Sequence, residues 1–206
     1  MLFGGVLGPV LLMLGLAMTP ASAASLLLNM EGVLTAVVAW IVFRENFDAR
    51  IFLGMVAIVA GGVLLSWTRG PVGLPWGSLA IVGACACWAI DNNLTRAISG
   101  GDPLAIAAIK GGVAGVINIA VALLIGQHLP GASALLGAAA IGFAGYGISL
   151  VAFVLALRHL GSARTGAYFS TAPFIGAGLS LALLRETPGT AFWIAGSVMA
   201  AGVWLH

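Results

Sequence analysis

Long apolar runs follow one another along this chain and stop at proline and glycine. Measured against the roughly 20 residues a helix needs to cross a bilayer, the first half predicts spans at about Phe3 to Ala17, Ser22 to Phe43, Ile51 to Trp67 and Trp76 to Ile98. The second half predicts four more, at about Leu104 to Leu124, Ser133 to Leu157, Thr165 to Leu184 and Thr190 to Leu205. Helix breakers separate them at Thr19-Pro20, Gly70-Pro71, Gly100-Gly101-Asp102-Pro103, Pro130-Gly131 and Pro188-Gly189. Several runs fall short of a full span, which implies tilt, local thinning or cover by neighbouring helices. Inside lipid the backbone must satisfy its own hydrogen bonds, so helices are expected over open strands.

The polar positions inside the runs reveal a duplication. Thr19 to Glu45 is echoed from Leu160 to Glu186, and both segments close on Arg-Glu in ungapped register. The echo lies five predicted helices downstream, and an odd number of crossings reverses the second copy in the membrane, as in inverted-repeat transporters. Ahead of its echo the second copy has two spans, around Trp76 to Ile98 and Leu104 to Leu124, that have no counterpart in the first. The chain therefore reads as an incomplete first repeat of three helices, residues 1–68, and a second repeat of five, residues 75–206.

Composition excludes most alternatives. A chain 61% hydrophobic and 7% charged has too little polar surface to cover itself in water. The net charge of +2 is small and scattered, so no nucleic-acid surface is expected. Trp40, Trp67, Trp76 and Trp204 sit near segment ends, where an interfacial belt would place them. Cys85 and Cys87 point to different helix faces and are read as packing residues. His128, His159 and His206 are dispersed, so no metal site is expected. The stretch TPASA after the first run looks like a secretory cleavage site but lacks a basic leader, so this run is read as a membrane helix. Arg44, Arg50, Arg96, Arg158 and Arg164 gather on one predicted side, against Arg69 and Arg185 on the other, which makes the first side and both termini cytoplasmic.

Four stretches carry a family resemblance: Ala21 to Glu45, which contains ASLLLNMEGVLTAVVAWIVFRE; Gly54 to Leu65; WAIDNNLTR from Trp88 to Arg96; and Tyr168 to Glu186. With these the chain resembles the EamA-type branch of the drug/metabolite transporter superfamily over nearly its whole length. The resemblance implies an all-α membrane protein, an inverted-repeat helix bundle, with eight predicted transmembrane helices here instead of ten. It also implies alternating-access transport of small metabolites. The chain departs from the pattern by lacking the first two helices, and by Gly32 where the second copy has Pro173.

Ionisable and amide groups stranded in apolar runs are the candidates for function. Glu31 stands near the middle of its run, with Asn29 before it and Thr35 one turn later on the same face. It either lines a substrate cavity or serves packing; its second-copy position is Ala172. Asp91, Asn92, Asn93, Thr95 and Arg96 form the densest polar stretch, either part of a pathway or interhelical glue. Lys110 is a candidate partner for Asp91, and Asn118 lies about two turns beyond it. Tyr146, Tyr168 and Thr171 offer hydroxyls from the second half, suited to an organic solute. Arg44, Glu45, Arg185 and Glu186 end equivalent helices and are candidates for helix-end or gate contacts. Pro173, inside an apolar run, is expected to bend its helix, and Gly4 with Gly8 and Gly111 with Gly115 to admit close helix neighbours.

The expected function is secondary transport of a small organic metabolite across a bacterial-type inner membrane, with Glu31 or Asp91 as coupling candidates, no cofactor and no enzymatic chemistry. The competing expectation is an inactive or structural membrane fragment completed by a homodimer or by a second chain that supplies the missing helices.

Overall fold

The computed structural model describes residues 1–44, 48–67 and 76–205, and all the regular structure in them is helical. A π-helical segment, Leu2–Leu7, leads into α1 (Gly8–Leu16), followed by α2 (Ala21–Leu27), α3 (Met30–Phe43) and α4 (Ala49–Trp67). The second half runs through α5 (Trp76–Ala97), α6 (Pro103–Leu124), α7 (Ala132–Gly142), a second π-helical segment Phe143–Ile148, α8 (Ser149–Phe169), α9 (Ala172–Leu184) and α10 (Thr190–Leu205).

Local chemistry sets many of these limits. Pro103 opens α6 behind Asp102, whose Oδ1 accepts from the Leu104 N–H at 3.0 Å. Asp48 accepts from the Ile51 N–H at 2.9 Å and so caps α4. Arg44 and Arg185 end α3 and α9 in the left-handed region, at φ 51° and 53°. Non-glycine residues enter that region at a cost of about 1 kcal/mol or more, so the same strained ending is built twice.

The shift that sets Thr19 opposite Leu160 relates more than the echo. It carries Leu2–Leu7 onto Phe143–Ile148, Arg44 onto Arg185 and the start of α4 onto the start of α10. The helices related in this way also pack on one another. α4 lies along α10, and α2 crosses α9. Leu26, Leu27, Ile81, Cys85, Ala195 and Met199 are buried together where these pairs meet α5. The result is an all-α bundle with inverted-repeat-like helix pairing.

Three sequence expectations change. The run Ser22 to Phe43 is two helices, broken at Leu28 and Asn29. The loop expected between Leu157 and Thr165 is helical, because that stretch has one glycine and no proline, and its backbone continues α8 to Phe169. Pro173 does not kink a helix interior. It occupies the first turn of α9, where its missing N–H is not needed. Glycine packing is also unequal: Gly4 and Gly8 press on Asp91 and Trp88 of α5, whereas Gly111 and Gly115 face open space.

Among the described residues, four helical stretches are long and apolar enough to cross a membrane: Ala21–Val42, Ala49–Trp67, Pro103–Leu124 and Ala132–Leu160. Leu2–Leu16, Ala172–Leu184 and Thr190–Leu205 are apolar but shorter, and α5 carries the polar stretch around Asp91. Burial is uneven around the bundle. α5 covers α1 and α6 covers Leu2–Leu7, while α7 and Phe143–Ile148 contain no buried residue.

Candidate functional site: a recess between two broken helices

The site begins with competition for backbone hydrogen bonds. Asn29 Nδ2 donates to the Leu26 carbonyl at 3.0 Å, taking an acceptor at the α2–α3 break. At the α8–α9 break, Ser170 Oγ donates to the Gly166 carbonyl and Thr171 Oγ1 to the Tyr168 carbonyl, each at 2.8 Å. The two breaks face each other. Ser25 Oγ of α2 donates to the Pro173 carbonyl at 2.8 Å, and a Cβ on Gly32 would lie 3.0 Å from Ser170 Oγ. Broken helices meeting in this way, one from each repeat, expose polar backbone only where neighbouring protein can take it up.

A recess opens beside the breaks. Leu28, Glu31, Gly32 and Thr35 form one wall, Asn92 of α5 a second, and Phe153, Leu157, Gly166 and Phe169 of α8 a third, with Ser170 and Pro173 closing it. It holds about 430 Å³ of empty space, counting its open mouth. Glu31 lies in the first turn of α3, where the helix dipole favours a carboxylate. Its Oε1 accepts from Asn92 Nδ2 at 2.7 Å. Across the recess, Phe153 and Phe169 stack edge to face with centroids 5.4 Å apart. The Thr35 hydroxyl is buried and has no hydrogen-bond partner.

A second polar cluster lies between α5, α6 and the Leu2–Leu7 segment. Lys110 Nζ meets Asp91 Oδ2 at 2.5 Å and Thr95 Oγ1 at 2.6 Å, and Thr95 Oγ1 donates to the Asp91 carbonyl at 2.7 Å. The Met1 amino group lies 3.4 Å from Asp91 Oδ1. Lys110 and Asp91 are 5% and 7% exposed, and the pairing lowers the cost of placing both charges inside a membrane protein. Pro9, one turn beyond Gly4 and Gly5, has no N–H to donate back to them, and side chains take up their carbonyls. Gly4 accepts from Trp88 Nε1 at 3.0 Å and Gly5 from Asn118 Nδ2 at 2.7 Å.

The structure thus brings Glu31 to the recess, and gathers Asp91, Lys110 and Asn118 around the Leu2–Leu7 segment. Asn29 is 1% exposed behind the break, with its Oδ1 unpartnered. Tyr146 is 42% exposed on Phe143–Ile148. Tyr168 is 71% exposed and Thr171 faces outward with it, because the helical phase that turns Phe169 and Ser170 into the recess turns their neighbours away. Phe153 and Phe169 escaped the sequence reading, since a phenylalanine in an apolar run carries no signal that it faces a cavity. Glu186 does form a helix-end contact: its carboxylate accepts from the N–H groups of Ala21 at 2.9 Å and Ser22 at 3.1 Å, and from the Ser22 hydroxyl. Arg44 and Arg185 are exposed at their helix ends, and Glu45 lies outside the described residues. Among the described residues, no three His, Cys, Asp or Glu side chains are placed to hold a metal ion.

The long apolar helices mark a multi-pass membrane protein. The EamA-like transporter family model matches residues 1–67 and 75–206, and the chain belongs to that family. An uncharacterized transporter of Methanothermobacter thermautotrophicus is 30% identical over 99% of this chain and 62% of its own length. The uncharacterized transporter YyaM of Bacillus subtilis is 25% identical over 92% of this chain and 65% of its own. The chain thus spans somewhat under two thirds of the length of these relatives. A crystal structure of a protein 18% identical to the chain superposes with a TM-score of 0.68, covering 98% of this chain and 73% of the other, and shares the fold. Both relatives are named as uncharacterized transporters, and the chain is a transporter-family protein.

Proposed function

We propose that the chain moves a small organic metabolite across the membrane by secondary transport, opening the recess beside Glu31 to each side in turn. The observation that carries this reading is the meeting of two helix breaks, one from each repeat, beside a single carboxylate in a largely apolar recess. Such a junction gives each repeat its own half of the binding site, so rocking one against the other changes which face is open. In this reading the chain crosses a bacterial-type inner membrane eight times, with both termini cytoplasmic, and export is the direction. Glu31 lines the pathway and Asp91 with Lys110 forms an internal polar joint. Either carboxylate is available as a coupling group. Glu186, on the α2 terminus, acts as a latch between the repeats.

One observation favours a second reading, that of a fragment active only when covered. α7 and Phe143–Ile148 contain no buried residue, although Leu2–Leu7, the first-repeat counterpart of Phe143–Ile148, is packed by α5 and α6. A helix pair equivalent to α5 and α6, from a longer chain, a second copy or another polypeptide, would cover that face.

Counterflow uptake of a mixed metabolite panel into proteoliposomes tests both readings, using this chain beside a version extended upstream by such a helix pair. Uptake by the present chain supports a working pathway within it. Uptake by the extended chain alone supports the fragment reading, and no uptake by either counts against transport.

A further inference from the structure

The geometry points to organic monocations, amines with an apolar body, as the ligands of the Glu31 recess. This inference rests on the transport reading for the claim that the ligand is moved, while its binding stands on the recess alone.

Charge makes the first selection. Among the described residues, Glu31 is the only charged side chain on the recess wall, and its carboxylate accepts a hydrogen bond from the neutral amide of Asn92. The buried cation Lys110 is committed to Asp91 and Thr95 and does not line the recess. A carboxylate held this way in a low-dielectric site lacks a counter-charge, and an ammonium group would supply it through a charge-assisted hydrogen bond.

An anionic ligand finds little to hold it. The start of α3 already carries Glu31, and at the start of α9 Pro173 has no N–H to offer. The N–H groups of Thr171, Phe174 and Ile175 already donate to the carbonyls of Tyr168 and Thr171.

Shape and polarity make the second selection. Opposite Glu31 the wall is aromatic and aliphatic: Phe153, Phe169 and Leu157. Phenylalanine faces attract cations as well as apolar groups. The unpartnered Thr35 hydroxyl, one turn from Glu31 on α3, leaves room for one more hydrogen bond to the ammonium or to a polar substituent. A small aromatic amine satisfies the carboxylate and the phenyl wall together.

The test uses the full chain in detergent and radiolabelled phenethylamine in a scintillation proximity assay, competed by three ligands of one size: phenethylamine, neutral 2-phenylethanol and anionic phenylacetate. The expected order is phenethylamine first, at least about tenfold ahead of 2-phenylethanol, with phenylacetate not competing. Glu31→Gln should abolish specific binding without lowering the melting temperature, and Glu31→Asp, which keeps the charge, should restore part of it. No specific phenethylamine binding, equal competition by the alcohol, preference for phenylacetate, or full binding by Glu31→Gln overturns the inference. Flux separates the two readings. Phenethylamine that binds through Glu31 but is not moved into proteoliposomes by this chain or by its extended version refutes transport and leaves the cation site standing. Movement of other solutes with no amine preference at the recess refutes the cation site and leaves transport standing.

Discussion

Gly61 and Gly202 make the same contact from opposite partners. A Cβ on Gly61 would lie 2.9 Å from the Ala195 carbonyl oxygen and 2.6 Å from Met199 Cγ. A Cβ on Gly202 would lie 2.6 Å from the Gly54 carbonyl oxygen and 2.9 Å from Ile58 Cγ1. The shift that relates the two repeats carries Gly61 to Gly202, Gly54 to Ala195 and Ile58 to Met199, so the contact is reciprocal across a pseudo-two-fold axis. Two helices approach this closely in a bilayer through small residues, since lipid supplies no hydrophobic drive between them.

The seam should therefore be intolerant at these two positions, while a glycine away from it should tolerate change. Gly61→Val and Gly202→Val are each expected to destabilise the protein in detergent by about 1 to 3 kcal/mol, because the added atoms meet backbone oxygen. Gly178→Ala, in open space on α9, should be neutral or stabilising by up to about 1 kcal/mol. Thermal unfolding of the three variants side by side makes the comparison.

The Asp91–Lys110 pair is expected to behave as a unit. Asp91→Asn or Lys110→Met alone should cost about 3 to 5 kcal/mol, since each leaves the other charge buried without its partner. The double variant should recover a large part of that loss. A double-mutant cycle on unfolding free energy would read the coupling, and additive losses would show that the pair does not act through its contact.

Glu186 is expected to hold the α2 terminus from a distance in sequence. Glu186→Ala removes an acceptor shared by two backbone N–H groups and should cost about 1 to 2 kcal/mol. Hydrogen exchange should quicken at Ala21 and Ser22 while the α4–α10 seam keeps its protection. Unchanged exchange at those two amides would rule out the cap.

Thr35→Val separates stability from binding. The hydroxyl is buried without a partner, so an isosteric apolar group should be neutral or stabilising by about 1 kcal/mol. If the hydroxyl serves a ligand in the recess, the same variant should bind phenethylamine several-fold more weakly. Melting and binding measured on one preparation would move in opposite directions.

Much of this molecule was legible from its residues. The ungapped echo ending in Arg44-Glu45 and Arg185-Glu186 was legible in the sequence, and the structure ends α3 and α9 alike, in the left-handed region. Glu31 and the Asp91 stretch stood out because lipid makes any ionisable group in an apolar run conspicuous. The Lys110 partnership with Asp91 was legible as a candidate, since one buried charge calls for another.

Sequence by itself determined the solvent, the helical class and the duplication, because hydrophobic length and register are properties of the chain taken in order. It did not determine where the runs break, since Pro173 and Gly32 read as helix interior until their places in first turns are known. Nor did it show which apolar residues are walls. Phe153 and Phe169 look like any lipid-facing phenylalanine, and only the packing of α8 against α3 and α5 makes them the far side of a recess holding Glu31. The same holds for Glu186 on Ser22 and Asn92 on Glu31, contacts between residues far apart in the chain. Such contacts arise only when whole helices have taken their neighbours, which is why the tertiary structure alone decided them.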